Sequence, residues 1–234
     1  MHSRTPGDDR GMAAARNRFL SGGYYAPLAE RLASLCLELT PQEPVLLDSG
    51  CGEGYYTTAI QNALADAGRT PHIAGIDISK SCLRWAAKRN RHIEFAVASA
   101  YALPFADGIA DLLLNCFSPL ALAEFQRVLK PDGVFLYVVP GARHLWELKQ
   151  ILYDHPYLND EHPSPYEGFH YLDIIRVEAP AHLPSQEVIH DLFEMTPYFW
   201  KTPRAGRERL ASLSKLTVTT AFQIHLFRKN RETS

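Results

Sequence analysis

Residues 44–58 constrain this chain more than any other stretch. Val45, Leu46 and Leu47 form a short apolar run that ends in Asp48, and Gly50, Gly52 and Gly54 then follow at alternate positions. An apolar run closed by a glycine cluster reads as a buried strand running into a tight turn. From Tyr55 onward the sequence suits a helix. Strand, glycine turn and helix in that order open an α/β sheet, and such a turn lies where these sheets hold nucleotide-like ligands. Glycine is needed there because the backbone must take conformations that a β-carbon forbids and must approach the ligand closely.

The rest of the chain repeats the alternation. Apolar residues at helical spacing predict helices over 12–20 and 25–39, separated by Ser21, Gly22, Gly23 and the aromatic pair Tyr24 and Tyr25. Further helices are expected over 55–67, 79–90 with Ser79 as cap, 121–129, from 141 to 149, and 185–194. Strands are expected over 45–47, 73–78, 93–98, 111–117 and 134–139, with residues 130–133 as a stop between the last two. Residues 169–177 and 216–228 alternate as two final antiparallel strands. Five strands alternating with helices predict right-handed parallel crossovers. The expected fold is therefore α/β, a doubly wound, mostly parallel seven-stranded sheet of Rossmann-like type with N-terminal helices. Residues 1–40 are expected to form a helical cap and 41–234 the main domain, with additions around 141–215.

Composition narrows the function classes. The 234 residues carry a net charge of −2, so any polyanion must be met by a local patch rather than by the whole molecule. Cys36, Cys51, Cys82 and Cys116 are scattered with no C-x-x-C pair, so no metal site and no disulfide framework is expected. No apolar run approaches a membrane span, and the expectation is a soluble, cytoplasmic protein with no membrane partner. Charge is uneven near the end: residues 151–196 hold nine acids against one Arg, and 197–234 hold eight Lys or Arg against two Glu.

The glycine spacing does not fit G-x-G-x-x-G. Asp48 with Gly50, Gly52 and Gly54 instead resembles the D-x-G-x-G-x-G motif of class I S-adenosylmethionine (SAM) methyltransferases. Asp77, closing the run Ile73 to Asp77, stands where an acid holds both ribose hydroxyls. The resemblance implies SAM as cofactor, held by Asp48, Gly50, Gly52, Glu53, Gly54, Tyr55, Asp77 and Ile78, with Ser99 and Ala100 passing the adenine. Helices ahead of the first strand commonly cover this cleft, which would bring Tyr25 against the cofactor; packing at the helix junction is the alternative.

After strand four, in enzymes that methylate a base nitrogen, lies the acceptor pocket. Here that stretch holds Asn115, Cys116, Phe117, Ser118 and Pro119. Asn115 is a candidate to hold a planar nitrogen in line with the sulfonium, and Phe117 to stack on a ring. A strand end followed by a helix start explains the same residues. His144 and Asp111 are candidates to receive a proton, although Asp111 also reads as a strand start and His144 also as a cofactor contact beside Arg143. Cys116 lacks a partner base for nucleophilic work.

Several stretches together resemble one family, the large-subunit ribosomal RNA guanine-N1 methyltransferases with their macrolide-resistance branch. They are residues 6–8, 15–20, 23–28, 51–57, 140–149 and 195–198, the segment around His144 and the run Met195, Thr196, Pro197 being the most specific. The resemblance implies methyl transfer to N1 of a guanine, and places Tyr25, residues 52–55, Asp77 and His144 around SAM. The partner implied is a ribosomal RNA hairpin. Lys201, Arg204, Arg207, Arg209 and Lys215, with Arg16 and Arg18, form the basic patch expected to meet it. The family carries an N-terminal four-ligand zinc ribbon, and this sequence starts just downstream of where that would end. Either a longer protein or loss of the module is expected. Two other readings stay open: a small-molecule methyltransferase of secondary metabolism, and a non-catalytic SAM-binding partner. A homodimer is one expected assembly.

Overall fold

The computed structural model describes residues 10–161 and 165–231; the matched residues 6–8 lie outside that range. Two helices come first, α1 (Arg10–Ser21) and α2 (Ala26–Leu39). Then β1 (Val45–Ser49), α3 (Tyr55–Asp66), β2 (His72–Asp77), α4 (Lys80–Arg89), β3 (Glu94–Val97), β4 (Ala110–Cys116), α5 (Leu122–Val128) and β5 (Leu129–Pro140) alternate. The chain continues through α6 (Trp146–Leu152), β6 (Phe169–Leu183), α7 (Gln186–Glu194), α8 (Tyr198–Lys201), α9 (Arg204–Ala211) and β7 (Leu216–Lys229).

All seven strands join one sheet in the order β3-β2-β1-β4-β5-β7-β6. The first five are parallel, and β7 runs antiparallel between β5 and β6. This is the doubly wound, mostly parallel architecture expected from the alternation. Strand order reverses between β1 and β4, and the connections that leave their carboxyl ends in opposite directions open a crevice there.

Period-two alternation sends neighbouring side chains to opposite faces. Leu46, Leu112, Leu114, Val134, Leu136 and Val138 join one core with α2, α6 and α7 residues, whereas Leu47, Leu113 and Phe135 join a second core on the other face. Both faces are covered, which is why the central strands are apolar throughout. Phe135 centres the second core, its ring 5.3 Å from Phe125 and 5.4 Å from both Phe169 and Phe227. Phe135→Ala is expected to cost about 3–5 kcal/mol in chemical denaturation, because the hole lies between rings that cannot collapse into it. A cost below about 1 kcal/mol would show that this core repacks.

Several elements differ from the sequence expectation, α6 among them, which starts at Trp146 rather than at 141. Residues 130–133 do not stop the chain: β5 starts at Leu129, pairs with Ala110 and bulges, with Asp132 at a φ of 63°. β6 continues to Leu183 through Pro180, which a strand at the sheet edge tolerates. The short helices α8 and α9 were not foreseen; each is preceded by a proline, Pro197 and Pro203. Asp111, a candidate proton acceptor, is a structural residue instead. It is the second residue of β4, away from the crevice, where it accepts from Val45 N at 2.9 Å and pairs with Lys130 at 2.7 Å.

Candidate functional site

The crevice at the carboxyl ends of β1 and β4 is a cleft of about 940 Å³. Asp48, Gly50, Gly52, Glu53, Asp77 and Ile78 line it, joined by Ser99 and Ala100 after β3, Phe117 after β4, and Tyr25 and His144 from elements far apart in sequence. The three glycines of the turn have φ of 85°, 56° and 72°. At Gly50 a β-carbon would also sit 2.1 Å from Ser118 Oγ, so the turn and the segment after β4 meet in direct contact.

The floor is acidic. Asp77 accepts from Gly52 N at 2.9 Å and from Ser79 N at 2.7 Å, so this one carboxylate fixes both the glycine turn and the start of α4. Glu53 is buried and meets Arg16 Nε at 2.7 Å. Asp48 is buried, with Thr57 Oγ1 donating to Oδ2 at 2.5 Å while Oδ1 has no partner. Burial raises its pKa to about 7; the Thr57 hydrogen bond opposes this, and the negative charges of Asp77 and Glu53 add to it. Ser99 turns its Oγ to Tyr101 N at 3.2 Å, which shapes the loop beside Ile78.

His144 and Tyr25 form a locked pair. Ala221 N donates to His144 Nδ1 at 3.3 Å, so that nitrogen carries no proton and the ring holds its proton on Nε2. Nε2 lies 3.3 Å from Tyr25 Oη and donates to it, leaving the tyrosine hydroxyl proton to point elsewhere. Burial, with Lys149 nearby, lowers the His144 pKa to about 3. The ring is therefore neutral with both nitrogens engaged. In this position His144 supports Tyr25.

Asn115 does not reach the cleft. It is fully buried, and Nδ2 donates to Pro119 O at 3.1 Å and Ser49 O at 3.4 Å, so it clamps the segment after β4 to the end of β1. Phe117 does reach it: the residue is held at a φ of 55° and is 46% exposed, with its ring 5.7 Å from Phe222. Gly54 caps α3 and faces Ala86 and Phe95. Tyr55 turns away, under the Arg89 guanidinium at 5.5 Å, and its neighbour Tyr56 takes the cleft position. One step along a helix rotates a side chain by about 100°. Burial pushes the Cys116 thiol well above its ordinary range, which suits an inert side chain rather than a nucleophile.

Much of the expected basic patch is engaged within the chain. Arg16 lies on the cleft floor, Arg18 makes a bidentate pair with Asp191 at 2.6 and 3.0 Å, Arg204 pairs with Glu208, and Arg209 with Asp154. Arg207 donates to Phe199 O and Thr202 O. Lys201 and Lys215 are exposed. Besides Tyr56, the sequence reading missed Thr196, Tyr198 and Trp200 as cleft residues. The matched run 195–198, which holds two of them, was the available signal. Among the described residues no helix is long and apolar enough to cross a membrane.

A family model described as "Methyltransferase domain" matches residues 47–137. The Bacillus subtilis protein YxjB, which carries the provisional name of a 23S rRNA (guanine-N1)-methyltransferase, is 33% identical over 218 residues, covering 90% of this chain and 77% of its own. A Micromonospora griseorubida protein with the same provisional name is 33% identical over 251 residues, covering 95% and 81%. Among solved structures, the Bacillus subtilis protein YcgJ superposes with a TM-score of 0.59 at 18% identity, over 86% of this chain and 99% of its own. That last likeness speaks to the fold alone.

Proposed function

This chain belongs to the 23S rRNA (guanine-N1)-methyltransferase family and is a SAM-dependent methyltransferase, and from that premise we propose that it methylates N1 of a guanine in large-subunit ribosomal RNA, in the cytoplasm. The observation that best supports the reading is the cleft itself, acidic at its floor beside the glycine turn and aromatic at its mouth beside Phe117. A nucleoside cofactor with a cationic centre suits the first end, and a planar acceptor the second.

The residues present fit such a cofactor. Asp48 leaves one carboxylate oxygen unpartnered and buried, an arrangement that favours an arriving positive charge. Asp77 would hold the ribose, the backbone of Gly50 and Gly52 the amino-acid end, and Ile78, Ser99 and Ala100 the adenine. Arg16, whose guanidinium lies over Gly52, and the Tyr25 hydroxyl, supported by His144, would meet the carboxylate. Bound SAM supplies an already activated methyl group. The protein then contributes alignment, worth several kcal/mol, by fixing a ring against Phe117. A neutral guanine N1 carries a proton, and with His144 occupied that proton leaves to water through the open mouth. Labelled-methyl transfer to an unmodified 23S rRNA transcript tests the proposal, and absence of incorporation into any ribosomal RNA removes it.

A low-molecular-weight acceptor is the second reading. It is favoured by one observation, that Arg16, Arg18, Arg204 and Arg209 are all engaged in ion pairs. Methyl incorporation into a small acceptor that survives nuclease treatment would select it.

Asp48 gives the site a pH dependence. Its folded-state pKa of about 7 lies above the usual carboxylate value, so the folded chain keeps a proton that the unfolded chain has lost. Stability therefore falls as pH rises from about 4 to about 7 and levels off above. A cationic ligand favours the ionised form, so SAM affinity is expected to rise about tenfold between pH 6 and pH 8. Asp48→Asn should flatten that slope and raise the melting temperature at pH 8. Calorimetric titration at both pH values decides, and equal slopes in the two proteins would place the titration elsewhere.

A further inference from the structure

Exposed aromatic rings gathered around a groove mark a binding surface, whereas rings scattered singly over a surface mean little. Three border the cleft: Tyr101, Phe117 and Trp200, the last 65% exposed. Trp200 sits on α8, followed by the exposed Lys201. Its indole is presented from a fixed platform. The ring stands edge-on to Phe199 at 5.1 Å, and Phe199 packs on Phe193 at 5.3 Å. The Arg207 guanidinium lies 5.1 Å from the Phe199 ring and 5.7 Å from the Phe193 ring, while donating to Phe199 O and to Thr202 O. Behind it, a β-carbon on Gly206 would fall 2.2 Å from Leu152 O, so α9 packs backbone to backbone against α6. Arg207 thus braces α8 rather than waiting for a phosphate.

We infer that Trp200 is a stacking surface for an unpaired nucleobase of the acceptor RNA, held at the cleft mouth with Lys201 beside it for the neighbouring phosphate. This rests on the RNA reading above. An indole face accepts any base, and a rigid one loses little freedom on binding, so recognition here would concern the unstacked state of the strand rather than its sequence. One stacked base is worth about 5- to 150-fold in affinity.

The experiment uses the full chain in a Trp85→Phe/Trp146→Phe background, which leaves Trp200 as the single tryptophan. A guanosine-containing RNA hairpin should quench its fluorescence saturably, while SAM alone should not. On an unmodified 23S rRNA transcript, Trp200→Ala should raise the KM for RNA by about tenfold or more, Trp200→Phe should recover most of the loss, and SAM affinity should stay within twofold. Unchanged KM in Trp200→Ala, or parallel losses in SAM affinity and melting temperature, would overturn the inference. If the parent methylates no RNA, the RNA reading fails. The stacking role is then decided by the hairpin titration, where absence of quenching overturns it.

Discussion

Asp77→Ala is expected to abolish measurable SAM binding, a loss of at least about a hundredfold, and to lower the melting temperature by several degrees. The carboxylate accepts the N–H groups of Gly52 and Ser79, so its removal leaves two backbone donors unpaired near the turn. Each such group costs about 1–3 kcal/mol. The same deletion removes the proposed acceptors for the ribose hydroxyls. Asn is no repair: its amide offers one acceptor where two donors converge, and turns an N–H toward the other. Calorimetry with SAM and with its demethylated product, beside a thermal scan, separates the two losses. Retention of affinity within threefold in Asp77→Ala would mean that the cofactor lies elsewhere.

The second large effect concerns Gly50→Ala. The residue sits at a φ of 85°, which costs an alanine about 1–2 kcal/mol, and its new methyl would lie 2.1 Å from Ser118 Oγ and 2.4 Å from Ser118 Cβ. Ser118 has little room to retreat, because Asn115 holds Pro119 O and Ser49 O together from below. Either the turn or the acceptor wall must move, and methyl transfer should fall by at least about a hundredfold. Adding Ser118→Gly removes the clash but not the backbone strain, so partial recovery is expected. Transfer of labelled methyl, measured for the single and double variants, is the readout. A single variant with more than a third of parental activity would show that the two segments are not in forced contact.

These two residues were readable in advance because their signals are local. A carboxylate at a strand end and glycines at fixed spacing each follow from a short run of consecutive residues, 73–77 for the first and 45–54 for the second. Elsewhere the relevant partner was remote. His144 is fixed by Ala221, and only that contact shows which nitrogen holds the proton. Arg18 reads as a free cation until Asp191 is seen beside it. Tyr55 and Tyr56 differ by a single helical step, and a boundary set by pattern cannot choose between them. α8 is only four residues long and α9 carries few apolar positions, and they are held by contacts to α6 and α7, so periodicity had little to register.

The hydrogen bond from Ala221 to His144 has a consequence for biosynthesis. Tyr25 near the start of the chain is held by a histidine that is itself set by β7, the last strand. While the chain is still being made, the first five strands, within residues 45–140, emerge before that strand, and the tyrosine side of the cleft stays unset until residue 221 follows. A nascent chain would thus present most of its strands before it could grip a ligand, so binding competence arrives late and all at once.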